Sequence, residues 1–465
     1  MRGGYLRTIW AMGAFLLAGT VGLFCTKVCL AHAASWQAGV ARVAITPEHP
    51  MWMSGYAGRN QPAEGKLHDL WAKAIVLKSP TGQTGVLISL DLVGISRTTA
   101  GQITQRLQER FGLNRDQVAL CTSHTHCGPV LGETLASMYF LDAEQQQRVA
   151  DYTAAFPGKI VDLVGVAIAS LEPVTLSYGV GETDFAVNRR ENPEAEVPQR
   201  RAAGELKGPV DHAVPTLLVK SPQGTVRAVL FGYACHATTL SFYQWCGDWP
   251  GFAQIALEKR YPGATALFVA GCGGDQNPLP RRTVELAESY GEKILAAVTA
   301  LEQRQPTEIT GELRTSYREI DLPFSQLPDR SQLEAEQASG DRYLASRAKG
   351  LLEILERDGK LPATYPYPVQ VWSVGPMNMV FLGGEVVVDY SLRLKGDLNQ
   401  PELWVAGYSN DVMAYIPSRR VLSEGGYEGA RSMIYYGQPT TWAPQVETLI
   451  VEQVTRMMNA SRASE

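Results

Sequence analysis

The sequence predicts a mixed α/β fold, a large mixed β-sheet core flanked by helices within a single domain. Three observations carry that prediction. Short apolar runs of strand character alternate with amphipathic stretches of helical length. Several apolar runs end abruptly in glycine, histidine or acidic residues, as strands do where they leave a sheet. No long Pro/Gly/Ser linker, internal repeat or low-complexity tract divides residues 34–465.

Taken in order, residues 1–33 have the form of an export signal. Arg2 and Arg7 precede an apolar stretch over 9–25, and Ala31-His32-Ala33 offers a small-x-small cleavage site. An uncleaved membrane anchor is the alternative; no later run reaches the roughly 18–20 apolar residues needed to span a bilayer. Residues 40–46 read as a short strand. Segments 71–78 and 85–92 read as a hairpin around Ser79-Pro80-Thr81-Gly82. A helix over 98–111 leads to the strand 117–121, which runs into Ser123-His124-Thr125-His126. Helical patterns over 144–156 and 159–170 are expected to be broken or kinked apart at Pro157-Gly158. Strands follow at 174–180, 216–220 and 225–233, the last entering Ala234-Cys235-His236. Asp248 is placed to cap a helix over 251–260. A strand at 265–270 enters Gly271-Cys272-Gly273-Gly274-Asp275, and a helix covers 283–302. The charged region 325–368 reads as a helical excursion with one helix over 332–357. Strands at 369–374 and 378–382 follow, the latter ending in Gly383-Gly384-Glu385, and a helical stretch covers 443–458.

The formal net charge is −5, and about −8 without Arg2, Arg7 and Lys27, which argues against a nucleic-acid partner. Five cysteines lie beyond the signal: Cys121, Cys127, Cys235, Cys246 and Cys272. An odd number leaves at least one thiol without an intramolecular partner, and the absence of a CxxC pair argues against a zinc ribbon. The preferred reading of these cysteines is as small buried packing residues.

Three strand-to-loop junctions place a ligand-type residue after a buried run: His124 with His126, His236, and Glu385. The segment Asn410-Asp411 with Tyr415 is a fourth candidate. Ligands in α/β sheets collect outside the carboxyl ends of strands. Two or three histidines with one carboxylate form a common catalytic zinc set with one position left open. In a continuing strand, His124 and His126 would share a face, one as ligand and the other as substrate contact or proton carrier. The plainer readings are a hydrogen-bonded structural histidine, a solvated Gly-Gly-Glu turn and a packed tyrosine. Ser123 beside His124 suggests a Ser-His hydrolase but lacks a Gly-x-Ser-x-Gly elbow. Residues 271–274 lack phosphate-loop spacing and read as a tight turn or as backbone amides near an oxyanion. Cys127 beside His126 is a candidate nucleophile.

These motifs together resemble the neutral, non-lysosomal ceramidases, specifically their N-terminal catalytic domain. His-Thr-His-x-Gly-Pro, from His124 to Pro129, is the most specific match. The opening from Ala38 to Pro47 and Met53-Ser54-Gly55-Tyr56-Ala57 are also similar. The resemblance covers roughly residues 38–443, with divergence over about 325–368. It implies a Zn²⁺ site made by His124, His236, Glu385 and Tyr415, although the family's His-Gly-Thr reads His236-Ala237-Thr238 here. It further implies that His126, Arg189 and Tyr427 steady the oxyanion or substrate. The family's serine in Gly-Asp-x-Ser-Pro is Asn277 in Gly274-Asp275-Gln276-Asn277-Pro278. A carboxamide is a poor nucleophile but can donate to an oxyanion, so water attack survives this change and a serine-acyl route does not. The sequence ends soon after the helical stretch 443–458, so the family's C-terminal immunoglobulin-like domain is expected to be missing. The resulting expectation is an exported, zinc-dependent hydrolase of a linear amide, with a ceramide-like N-acyl lipid as the family's substrate class. A zinc esterase or lactonase, or an inactive binding protein of the same fold, are the rival readings.

Overall fold

The computed structural model describes Met1 and residues 35–463, so the export signal read in the sequence lies outside the described residues. Strands β1 (Gln37–Ala44), β2 (Trp71–Lys78), β3 (Thr84–Leu90) and β4 (Val118–Thr122) form a first sheet in the order β4-β3-β2-β1. The β1/β2 and β2/β3 pairs are antiparallel, and β3/β4 is parallel. The crossover between β3 and β4 is α1 (Arg97–Phe111), capped by the Ser96 side chain and stopped by Gly112 in the left-handed region. Every residue of β4 is buried, as expected of a strand covered on both faces.

The same order recurs twice. Strands β5 (Thr175–Glu182), β6 (Ala213–Lys220) and β7 (Val226–Tyr233) are antiparallel neighbours, and β8 (Thr265–Ala270) lies parallel to β7. Strands β9 (Leu313–Pro323), β10 (Thr364–Val374) and β11 (Met377–Leu382) are antiparallel neighbours, and β12 (Trp404–Ala406) lies parallel to β11. Thus the mixed α/β fold is present, with its main strands shared among three sheets. No repeat is visible in the sequence because the three sheets share an apolar pattern and a topology, not residue identities.

Residues from all three sheets, including Leu77, Leu230, Trp372 and Phe381, share one buried cluster. Backbone bridges Cys121↔Ser409 and Gly271↔Ala406 tie together the carboxyl ends of the fourth strands. Counting from these ends locates the candidate site. Three residues past β3, β7 and β11 stand Val93, His236 and Glu385. Two residues past β4, β8 and β12 stand His124, Cys272 and Tyr408.

Some expectations change. One continuous helix, α2 (Ala143–Ala169), replaces the two helices expected around Pro157-Gly158. Pro157 lies buried on the helix face that carries Phe156, Ile160 and Val164, and tertiary packing there outweighs the lost hydrogen bond. The α2 helix is long and apolar enough by composition to cross a membrane; one face of it, with Phe156, Ile160, Val161, Leu163, Val164 and Ala167, lies in the core. Helix α3 (Asp248–Arg260) begins after Gly247, which occupies the cap position expected for Asp248. The Asp248 carboxylate instead accepts from the N–H groups of Thr239, Leu240 and Trp249, binding the loop after β7 to the start of α3. After α4 (Val284–Gln303), the helical excursion is two helices, α5 (Arg330–Gln337) and α6 (Arg342–Asp358). Asp341 caps the second by accepting from Tyr343 and Leu344, which starts a new helix where one was expected. The C-terminal helix α7 (Val446–Ala463) packs against the third sheet's outer cluster.

A buried carboxyl in the loop after β12 gives a pH prediction. Burial pushes Asp411 up to about 7, while the Tyr365 hydroxyl donates to it at 2.7 Å. A carboxyl whose folded pKa is raised contributes stability below its ordinary value of 3.8, and loses it as pH rises through about 7. Asp411→Asn keeps an acceptor for Tyr365 and removes the ionisation. Relative to wild type, the variant is expected to gain stability between pH 4 and 7, on the order of 4 kcal/mol by pH 8. Urea midpoints across that range test it; a difference independent of pH contradicts it.

Candidate active site

The ends of the three sheets bring the sequence-identified residues together. His124 Nε2 lies 3.0 Å and His236 Nε2 3.1 Å from Glu385 Oε2. His126 Nε2 is 3.1 Å from His124 Nε2, and Tyr415 Oη is 3.2 Å from His236 Nε2. His124, His126 and His236 alone place their ligand atoms within 4.8 Å of one another. The short parallel pair Glu385–Val386 with Tyr415–Ile416 sets Glu385 directly opposite Tyr415.

Local backbone explains the convergence. β4 stops at Thr122, and His124 adopts φ +58°. His124 and His126 therefore do not meet as residues on one strand face, as expected from the sequence. The chain turns out of the sheet, and the turn brings the rings together. Tyr408, two residues past β12, adopts φ +51° and packs its ring 4.4 Å from that of His124. Such backbone, costly for non-glycine residues, concentrates at functional sites. The glycines at 271–274 serve close packing of chain segments. A Cβ at Gly273 would lie 2.6 Å from the Cys235 nitrogen, and one at Gly274 2.7 Å from the Glu385 carbonyl oxygen. Glycine there lets the segments carrying His236 and Glu385 press against one turn.

Hydrogen bonds orient the rings. His124 Nδ1 donates to the Val93 carbonyl at 2.5 Å, and His236 Nδ1 donates to the Gly273 carbonyl at 2.7 Å. A carbonyl can only accept, so the proton sits on Nδ1 and a ring carrying that proton alone turns the lone pair of Nε2 toward the cluster. Burial, reinforced by Arg189, lowers His236 to about 4. Burial raises the Glu385 carboxyl; His124 and His236 lower it only when the Nε2 atoms that face it carry protons, which the Nδ1–H form of each ring does not supply. Its Oε1 accepts from the Tyr436 hydroxyl at 2.5 Å, whereas buried Oε2 receives no properly directed hydrogen. Burial keeps the Tyr415 phenol protonated, with Arg189 acting in the opposite sense.

This donor set fits zinc. Imidazole nitrogen, carboxylate oxygen and phenol oxygen are first-row metal ligands, and ligands about 2.0 Å from one tetrahedral centre lie roughly 3.3 Å apart. Oε2, buried against two lone pairs without a donated hydrogen, is a group that a cation would satisfy. The four residues implied by the resemblance are all present, and His126 adds a fifth donor atom.

The other implied residues line the adjoining cavity. Arg189 donates to Tyr415 Oη at 3.0 Å, to Asn277 Oδ1 at 3.2 Å and to Glu428 at 2.7 Å. Because Asn277 Oδ1 receives Arg189, its NH₂ end remains a donor. The Tyr427 ring stands 5.3 Å from that of Tyr415, with Arg189 lying over both. His126 also lines the cavity, and its Nδ1 is buried without a partner.

The rival sites do not assemble. Ser123 is fully buried and its hydroxyl is unpartnered, so it forms no Ser-His pair. The five cysteines among the described residues are free and buried; Cys127 is inaccessible, and burial pushes Cys121 up to about 12. Sequence reasoning missed Tyr436, Tyr408, Glu428 and the Val93 carbonyl. Only Tyr427, implied by the resemblance, pointed near one of them, standing next to Glu428 in the chain.

A family model described as neutral/alkaline non-lysosomal ceramidase, N-terminal, matches residues 36–322. Neutral ceramidase A of Dictyostelium discoideum is 28% identical over 273 residues, covering 54% of this chain and 37% of that protein. The neutral ceramidase of Drosophila pseudoobscura pseudoobscura is 23% identical over 343 residues, covering 70% of this chain and 45% of that protein. The chain thus spans less than half the length of these two curated relatives. The crystal structure of neutral ceramidase from Pseudomonas aeruginosa superposes with a TM-score of 0.69 at 21% identity, over 90% of this chain and 73% of that one, which shows a shared fold.

Proposed function

The chain belongs to the neutral/alkaline non-lysosomal ceramidase family, and from that membership we propose that it is a zinc-dependent hydrolase of a linear N-acyl amide. One observation carries the reading. His124, His236, Glu385 and Tyr415 crowd their ligand atoms together beside an open cavity lined by Arg189 and Asn277. The relatives are named for ceramide, an N-acyl lipid, and the same class of bond is assigned here.

Zinc, when bound, supplies Lewis-acid polarisation of the scissile carbonyl and a more acidic attacking water. The chain's own groups do the remaining work. Tyr436 and the two imidazoles hold Glu385 in place. The Asn277 NH₂, oriented by Arg189, donates to the oxygen on which negative charge develops. Arg189 adds positive charge at the same wall, where Glu428 fixes it. His126, neutral because of burial and the neighbouring imidazoles, accepts a proton and passes it to the departing amine. No acyl-enzyme forms at Asn277, because a carboxamide is not a competent nucleophile. On the sequence of residues 1–33 alone, export is also proposed.

Dialysis against a chelator is expected to abolish release of amine from an N-acyl amide, and one equivalent of Zn²⁺ to restore it. Cleavage that survives complete metal removal contradicts the proposal, as does a zinc-loaded protein inert toward every amide tested.

A further inference from the structure

The wall of the cavity beyond the metal-ligand cluster bears on which amide enters. The cavity measures about 610 Å³, ample for a small molecule. Small-molecule pockets are usually lined mainly by apolar side chains, and a site for long hydrocarbon chains more so. Here Tyr56, Leu279 and Tyr427 supply apolar surface, but charged and polar side chains, several of them in ion pairs, make up most of the wall. Arg190 lies 2.6 Å from Glu428 and 2.9 Å from Glu424, and Arg281 lies 2.6 Å from Glu194. Arg431, exposed on the same lining, has no ion-pair partner among the described residues. Thr238, two residues past His236 and 2% exposed, also lines the cavity and leaves its hydroxyl without a partner.

An alkyl chain laid along this wall would strip water from charged groups and return no hydrogen bond. Burying polar groups unpaired is costly, and burying charges more so. Hydroxyl or carboxylate groups would replace that water with hydrogen bonds to the arginines and to Thr238. We infer that the substrate is a short-chain N-acyl amide whose amine part carries hydroxyl or carboxylate groups, and not a two-chain lipid. This inference rests on the proposed amide hydrolysis and narrows its substrate class.

The test compares kcat/KM of the zinc-loaded full chain on an N-acetyl amino acid, an N-acetylhexosamine and a long-chain ceramide in detergent. Calorimetry on the metal-stripped protein measures binding of the same compounds without turnover. At least one of the two polar amides is expected to exceed ceramide by about tenfold or more in kcat/KM and to bind the stripped protein. Whichever is preferred separates carboxylate from hydroxyl recognition. The double variant Glu194→Leu/Arg281→Leu, which makes part of the wall apolar, is expected to move the preference about tenfold toward ceramide. Ceramide turned over as well as or better than both polar amides overturns the inference and leaves amide hydrolysis standing. Polar amides that bind while no amide is cleaved overturn the hydrolase reading and support the polar site. Neither binding nor cleavage overturns both.

Discussion

Replacement of His236 by alanine is expected to abolish stoichiometric zinc binding and to lower amide turnover by at least about a thousandfold, ~4 kcal/mol of transition-state stabilisation. His236 is fully committed to the cluster. Its Nδ1 is fixed by the Gly273 carbonyl, and its Nε2 faces Glu385 Oε2 at 3.1 Å and Tyr415 Oη at 3.2 Å. Removing the ring takes away one of the nitrogen donors that would hold the cation against the Glu385 carboxylate. The core contact of this segment is made by the His236 carbonyl, which accepts from Trp249, and alanine retains that carbonyl. The variant should therefore fold, as judged by circular dichroism and a urea midpoint near wild type. Metal analysis by mass spectrometry and amine release separate the outcomes. A folded variant that keeps one equivalent of zinc and wild-type turnover removes His236 from the site.

The largest effect on stability is expected at Trp249. Its side chain is completely buried and sits among the rings of Phe185, Tyr233 and Phe268 at centroid distances of 5.2, 5.8 and 5.0 Å. Its Nε1 donates to the His236 carbonyl at 2.8 Å, so the core of the second sheet reaches directly into the site. Trp249→Ala removes a large buried surface and leaves a cavity, for an expected loss of about 3–5 kcal/mol. Trp249→Phe keeps much of the packing and leaves the carbonyl unpaired, costing about 1–3 kcal/mol. Urea denaturation of the metal-free proteins measures both. Zinc titration of the phenylalanine variant should show weakened affinity, because the segment that carries His236 loses its anchor. A loss below about 1 kcal/mol for Trp249→Ala would contradict the assigned packing.

Much of the site was legible because strand ends carry a local signature. An apolar run followed by His236, or by Gly383-Gly384-Glu385, marks the edge of a sheet and a ligand-type side chain in one stretch of chain. The same local character allowed the β2/β3 hairpin and α1 to be placed within a few residues. Tyr436 was not legible. It meets Glu385 through a loop 51 residues later, and nothing in its neighbours distinguishes it from a packed tyrosine. The threefold recurrence of strand order was hidden for a related reason. His236 and Glu385 occupy equivalent positions past β7 and β11, but the first sheet offers Val93, which contributes only its carbonyl. Pro157 misled because a local rule about proline yields to the packing of a long apolar face. The proximity of His124 to His126 was expected but for the wrong backbone, since a left-handed residue after β4, not a strand face, brings the two rings together.

All of the proposed roles turn on a cation bound where the three sheets meet. A crystal of the zinc-loaded chain, with diffraction collected on both sides of the zinc absorption edge, tests this most directly. The expected result is a single anomalous peak within about 2.0–2.3 Å of His124 Nε2, His236 Nε2, Glu385 Oε2 and Tyr415 Oη. A fully loaded protein whose zinc lies elsewhere, or whose peak is not coordinated by those four atoms, would contradict it.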